Sequence, residues 1–225
     1  MSTRMHWGLM IVGVLLTAPA IAAPTAAEYR QMGLQLRNQE RYTDAIAALQ
    51  KAVELEPNNV SGRVLLGWTQ HKADQRVEAA ATLTQAFYLN PFDVPTLNAL
   101  GIVQLVEGQL GGAIASHGWA AVLKADNEIA YYNLSLAFER IGQYDWAIAA
   151  AQKAATLEPN NPHPLVAEAV AHWGNGEKEQ AQRAYQRAQS LNGAYADPGY
   201  LAIDLPRAGF SETQLGTSQQ IRKSL

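Results

Sequence analysis

Apolar residues along this chain recur at helical spacing and, on a longer scale, at a fixed interval of 34 residues. Within one interval Tyr131, Leu134 and Phe138 form a first stripe, and Ala147, Ala151, Ala154 and Leu157 form a second. Steps of three and four residues put such side chains on one helix face, and Gly142 between the stripes reads as a helix stop. Each interval therefore predicts a helical hairpin. Sliding the chain against itself aligns Ala45, Ala79, Ala113, Ala147 and Ala181 in one column and Ala52, Ala86, Ala120, Ala154 and Ala188 in a second. Leu55, Leu89, Leu123, Leu157 and Leu191 form a third. Small side chains at two fixed columns suit the places where neighbouring helices cross most closely, since a larger group would force the axes apart. The leucine column is expected to cover the end of each hairpin.

A second set of columns marks the helix starts. Thr25, Asn59, Asp93, Asn127 and Asn161 lie 34 apart, and each is a residue type that accepts from the unpaired N–H groups of a first helical turn. Thr25 has Glu28 three residues on, the reciprocal capping arrangement. Pro57, Pro91 and Pro159 stand shortly before three of these caps, where the preceding helix must have ended; Ala125 fills that column in the fourth case. After Leu191 the period is lost. Asp197-Pro198 predicts a short helix near Tyr200 that Pro206 ends. Ser211 with Gln214, flanked by Phe210 and Leu215, predicts a last helix to about Arg222. A stacked array exposes an apolar end unless something covers it, so these helices are expected to form a lid.

Composition narrows the function. With 48% apolar and 16% charged residues in 225, the chain belongs among folded proteins. Its 17 basic and 20 acidic residues give a net charge of −3, which argues against nucleic acid as the main partner. There is no cysteine, so disulfides, thiolate metal sites and cysteine nucleophiles are excluded. The first 22 residues have the three parts of an export signal: a basic start at Arg4, the apolar run WGLMIVGVLL, and small residues ending in Ala20-Ile21-Ala22, with a cut expected after Ala22. Uncut, the segment would be a membrane anchor, yet residues 7–23 are 17 with Pro19 among them, short of the about 20 that a bilayer core requires. The expected destination is the periplasm; a thylakoid lumen or membrane anchorage are the alternatives.

The residues also resemble a known family, the tetratricopeptide repeat (TPR). Its pattern is visible as Tyr29, Gly33, Ala45, Ala52 and Pro57, as Leu66, Gly67, Ala79, Leu83, Ala86 and Pro91, and as Leu97, Leu100, Gly101, Ala113 and Ala120. It recurs as Tyr131, Leu134, Phe138, Ala147, Ala154 and Pro159, and more weakly as Leu165, Ala181, Tyr185 and Ala188. Arg63, Ser135, Ala169, Ala125 and Gly193 depart from it without breaking a helix. The resemblance implies an all-α fold: a right-handed superhelical solenoid of five hairpins (residues 26–59, 60–93, 94–127, 128–161 and 162–193), with C-terminal capping helices over 194–225. It also implies that the first helix of each hairpin lines a concave groove. The groove residues carried over are Arg30, Arg37, Trp68, His71, Lys72, Asn98, Ile102, Leu105, Tyr132, Leu136, Arg140 and Trp173, with Val64, Val166 and Val170 beside them. Asn133 resembles the asparagine with which such repeats hold a peptide backbone. Leu34, Leu65, Pro95 and Ala99 replace the carboxylate clamp of the family's chaperone-tail binders.

Trp68, Tyr132 and Trp173 make the groove a candidate receptor for a protein or peptide, although the C-terminal segment folding back over them would serve equally as an explanation. Arg30, Arg37, His71 and Lys72 could steer an acidic segment, or simply be solvated charges. His117 and His172 are expected to be hydrogen-bonded core residues, and His163 to serve local structure; no two histidines have the i, i+4 spacing of a helical metal pair. No phosphate loop or nucleophile elbow is present. The expectation is an exported scaffold with no catalysis, cofactor or metal, possible at the periphery of a membrane complex. The alternatives are a structural homo-oligomer, or an accessory subunit of an enzyme encoded elsewhere.

Overall fold

The computed structural model describes residues 23–225, so the expected export segment lies outside the described residues. Five hairpins follow one another: α1 (Ala26–Asn38) with α2 (Tyr42–Leu55), α3 (Val60–Lys72) with α4 (Arg76–Leu89), α5 (Val94–Val106) with α6 (Leu110–Leu123), α7 (Glu128–Arg140) with α8 (Tyr144–Leu157), and α9 (Pro162–Gly174) with α10 (Lys178–Leu191). A short 3₁₀ turn (Gly193–Ala196) leads to α11 (Pro198–Arg207) and α12 (Glu212–Lys223). Every described element is helical.

The caps explain the starts. Thr25, Asn59, Asp93, Asn127 and Asn161 each accept from a backbone N–H of the following first turn, and Thr25 with Glu28 closes the full capping box, as Ser211 with Gln214 does for α12. The second helices have no side-chain cap. The turn instead closes on the preceding first helix: Gln75 N–H donates to Gln70 O at 2.9 Å, Gln109 to Gln104 at 2.8 Å and Glu177 to His172 at 2.9 Å, satisfying carbonyls of its last turn around the left-handed Asp74, Gly108 and Gly176.

All ten alanines of the two constant columns are at most 1% exposed, which places them at the helix crossings. The leucine column behaves otherwise. Leu55, Leu89, Leu123 and Leu191 are exposed, since each ends its helix beyond the last buried alanine and the next hairpin covers it only in part. Successive first helices touch along the stack, while successive second helices come into no comparable contact. The array therefore curls with α1, α3, α5, α7 and α9 on its inner side. The largest apolar cluster lies at the C-terminal end, where Tyr195, Leu201, Leu205, Phe210 and Ile221 join Leu136, Val166, Val170 and Tyr185.

Candidate functional site

The inner face divides into two halves of different character. Over α1, α3, α5 and the start of α7 it is an open apolar cavity of about 540 Å³, walled by Val64, Leu65, Trp68, Ala99, Ile102 and Ile129 with Arg37 and Asn98 at its edges. Trp68 is steadied by its neighbours. The His71 ring centroid lies 5.1 Å from it and Lys72 Nζ 5.3 Å above its ring. Burial pulls the His71 pKa down, with Lys72 and Arg76 adding to the effect. Arg30 donates to Glu56 at 2.6 Å, whereas Arg37 has no acidic partner among the described residues. Asn98 and Asn127 exchange amide hydrogen bonds at 3.0 and 3.2 Å, so Asn98 braces the cap of α7 as well as edging the cavity.

Over α7 and α9 the same face is covered by the chain's own C-terminus. Tyr132 Oη donates to Ala208 O at 2.6 Å, and its ring packs 6.3 Å from Phe210. Gln214 Nε2 donates to Leu136 O at 3.1 Å and to Glu139 at 2.7 Å. Leu105 and Leu136 are each 1% exposed. Asn133 is buried and donates to Ile129 O at 2.8 Å, so its amide serves its own helix. Arg140 donates to Leu105 O at 2.7 Å, stitching α7 to α5. Trp173 lies against the C-terminal cluster with Lys178 Nζ 3.5 Å over its ring. Of the thirteen predicted groove residues, Arg37, Trp68, Asn98 and Ile102 thus line the open cavity, with His71 and Lys72 next to them and Arg30 tied to Glu56. Leu105, Tyr132, Asn133, Leu136, Arg140 and Trp173 are engaged within the chain.

The sequence profile of the tetratricopeptide repeat matches residues 36–100 and again 129–161. This chain is a tetratricopeptide-repeat protein. Its TPR array resembles solved structures: a crystal structure of MamA at 24% identity and TM-score 0.67, covering 76% of this chain and 93% of that one. A second is MamA from Desulfovibrio magneticus RS-1 at 19% and 0.69, with 75% and 96% covered. YrrB, described as a TPR protein with an unusual peptide-binding site, aligns at 17% and 0.63, with 75% and 87% covered. In sequence, 113 residues are 31% identical to the BBSome complex member BBS4 of Xenopus tropicalis, spanning 50% of this chain and 22% of that protein.

The TPR lid is held by a residue that sequence periodicity does not mark. Asp204, in α11, accepts from Tyr195 Oη at 2.6 Å and hydrogen-bonds with His163 Nε2 at 2.9 Å. His163 therefore reaches beyond local structure and ties the start of α9 to the lid. Burial draws the Asp204 pKa upward, but the Tyr195 and His163 hydrogen bonds outweigh it and hold the group below its ordinary value. Tyr132 and Tyr195 are pushed well above the usual phenol range, first by burial and then by the nearby Asp204 charge. His172 is hydrogen-bonded, to Glu177 at 2.5 Å. His117 is fully buried, yet neither ring nitrogen has a hydrogen-bond partner among the described residues; the ring occupies the space that a side chain at Gly101 would fill. Among the described residues, no three His, Asp or Glu side chains gather as a metal site would require.

Proposed function

We propose that this TPR chain is a non-catalytic scaffold that seats a segment of a partner protein in the open half of its inner face. The observation that carries the reading is the contrast along one surface. Where the face is covered, the occupant is a chain segment held by backbone-directed hydrogen bonds and apolar burial; where it is open, Val64, Trp68 and Ile102 offer the same kind of surface with none of the described residues over it. Aromatic and aliphatic walls of this type supply most of the energy of interface cores. Arg37, without an acidic partner among the described residues, and Lys72 over the Trp68 ring favour an acidic residue at one end of the guest. The peptide-binding description of YrrB and the complex membership of BBS4 support the class of activity. The export pattern in residues 1–22 supports placing the work in the cell envelope, during assembly of a membrane-associated complex.

Affinity purification of the full chain from its host, followed by the Trp68→Ala/Arg37→Glu pair, tests this. Loss of the partners that co-purify with the natural chain, with the melting temperature retained, is the expected result. Retention of every one of them by the variant would overturn the reading, and a concentration-dependent dimer in light scattering that the variant abolishes would replace it with self-assembly.

A further inference from the structure

The outer face carries three furrows that are copies of one another. The first, of about 530 Å³, lies between α4 and α6 with Phe87, Tyr88, Leu97, Leu100 and Trp119 around it. The second, of about 310 Å³, lies between α6 and α8 with Ala121, Tyr131, Leu134, Phe138 and Trp146. The third, of about 290 Å³, lies between α8 and α10 with Gln152, Ala155, Thr156, Glu168 and Arg187. Their lining residues map onto each other through the repeat: Thr84, Gly118 and Gln152 share one column; Phe87, Ala121 and Ala155 a second; Leu100, Leu134 and Glu168 a third. The furrows exist because successive second helices stand apart on the outside of the curl.

Glu168 breaks the pattern. Its column reads Met32, Leu66, Leu100 and Leu134 in the other four repeats, so a carboxylate floors the third furrow where apolar side chains stand elsewhere. It is 6% exposed. Gln152 Nε2 donates to one carboxylate oxygen at 2.9 Å, and His172 Nε2 is 3.7 Å from that same oxygen. The other oxygen, Oε2, has no hydrogen-bond partner, and Arg187, itself 64% exposed, stops 3.8 Å away. Burying a carboxylate with an unfilled acceptor is costly, and a leucine would pack there without that cost. The Gln152 hydrogen bond and the long ion pair to Arg187 offset that cost while leaving Oε2 without a hydrogen bond, and a local rule broken in this way is where a site is to be sought.

We propose that the third furrow receives a lysine or arginine side chain of a partner protein, whose apolar side chains seat in the two furrows before it. The inference does not depend on the inner-face reading, because it uses the opposite surface. The missing hydrogen bond to Oε2 selects a cationic donor, and a charge-assisted bond in a shielded furrow is among the stronger contacts a surface can offer. Tyr88 and Trp146 are 78% and 65% exposed, which leaves the apolar furrows accessible from solvent. Packed helices lie about 8–10 Å apart and the second helices that bound the furrows stand farther apart than that, so an extended guest, rising about 3.3 Å per residue, would place successive anchors at least three residues apart.

Fluorescein-labelled peptides carrying two leucines and one arginine at every third or every fourth position, in both chain directions, test the proposal by anisotropy against twins with glutamine for arginine. At least one arginine peptide should bind about tenfold tighter than its twin, as one charge-assisted bond implies. Glu168→Gln should bring that ratio to one. So should Glu168→Leu, which installs the residue of the other repeats and guards against loss of fold. Arg187→Ala, by removing the resident cation, should widen the ratio, and Trp68→Ala on the inner face should leave it unchanged. No arginine preference in any peptide, or a preference that survives in Glu168→Leu, would overturn it.

Discussion

Glu40 and Asp74 are held at φ 59°, in the left-handed region, at the hairpin turns where Gly108, Gly142 and Gly176 stand one, two and three repeats on. A side chain there costs about 1 kcal/mol relative to glycine. Glu40→Gly should therefore raise stability by about that amount in a denaturant titration, with no change in far-UV circular dichroism. Gly142 is legible in sequence as a stop because glycine announces the conformation; Glu40 and Asp74 are not, because their side chains say nothing about the turn that imposes it. His117 is a second residue-scale case. Burial lowers its pKa to about 4, against an ordinary 6.5. Its folded-state pKa is depressed, so the unfolded chain takes up the proton first. The neutral ring's contribution is whole above pH 6.5 and is lost as the pH falls toward 4. His117→Leu should remove about 2 kcal/mol of the stability lost between pH 7.5 and pH 5, measured by urea unfolding at both values. That the position is buried was readable from its column; that the ring has no partner was not, since the column does not show which polar groups surround it.

Between elements, packing within the first four hairpins follows a size rule, whereas the fifth holds Ala169 and Tyr185 in the same two columns. A Cβ on Gly33, Gly67 or Gly101 would lie 2.5 Å from Leu49 Cγ, 2.6 Å from Leu83 Cγ or 2.5 Å from His117 Nε2. Where the fourth repeat has Ser135 instead of glycine, the facing residue shrinks to Ala151. The substitution that departs from the family pattern is thus compensated sixteen residues later. Gly67→Ala should cost about 1–3 kcal/mol through overpacking, and Leu83→Ala should recover part of that loss in the double variant. Additive costs in that cycle would contradict the pairing. The helix starts, the buried alanines and the hairpin turns were all legible because each depends on residues within one repeat. The leucine column is as constant as the alanines yet lies exposed at the rim where the second helices end, because constancy along an array reports repetition and not burial.

At the scale of the whole molecule, the C-terminal segment covers part of the array's own inner face. Gln214 meets Leu136 and Glu139, and Tyr132 meets Ala208, across 75 to 78 residues of chain. No period links these positions: the loss of the repeat after Leu191 predicts a lid, and the fold alone shows that it reaches Tyr132 and Trp173 and which half of the groove it covers. Asp204→Asn weakens the charge-assisted hydrogen bonds from Tyr195 and His163, and should loosen the lid at a cost of about 1–3 kcal/mol. Faster amide exchange confined to residues 196–223 would register it. Because the Asp204 pKa is held below its ordinary value, its contribution is present at neutral pH and fades only in acid, as the pH falls below about 4. The most direct measurement of the account is photocrosslinking in the host from a photoreactive amino acid at position 68 and, separately, at position 136. The account predicts a discrete adduct with another protein from position 68, and from position 136 only an internal link to residues 208–215. Partner adducts from position 136 with none from position 68 would contradict it.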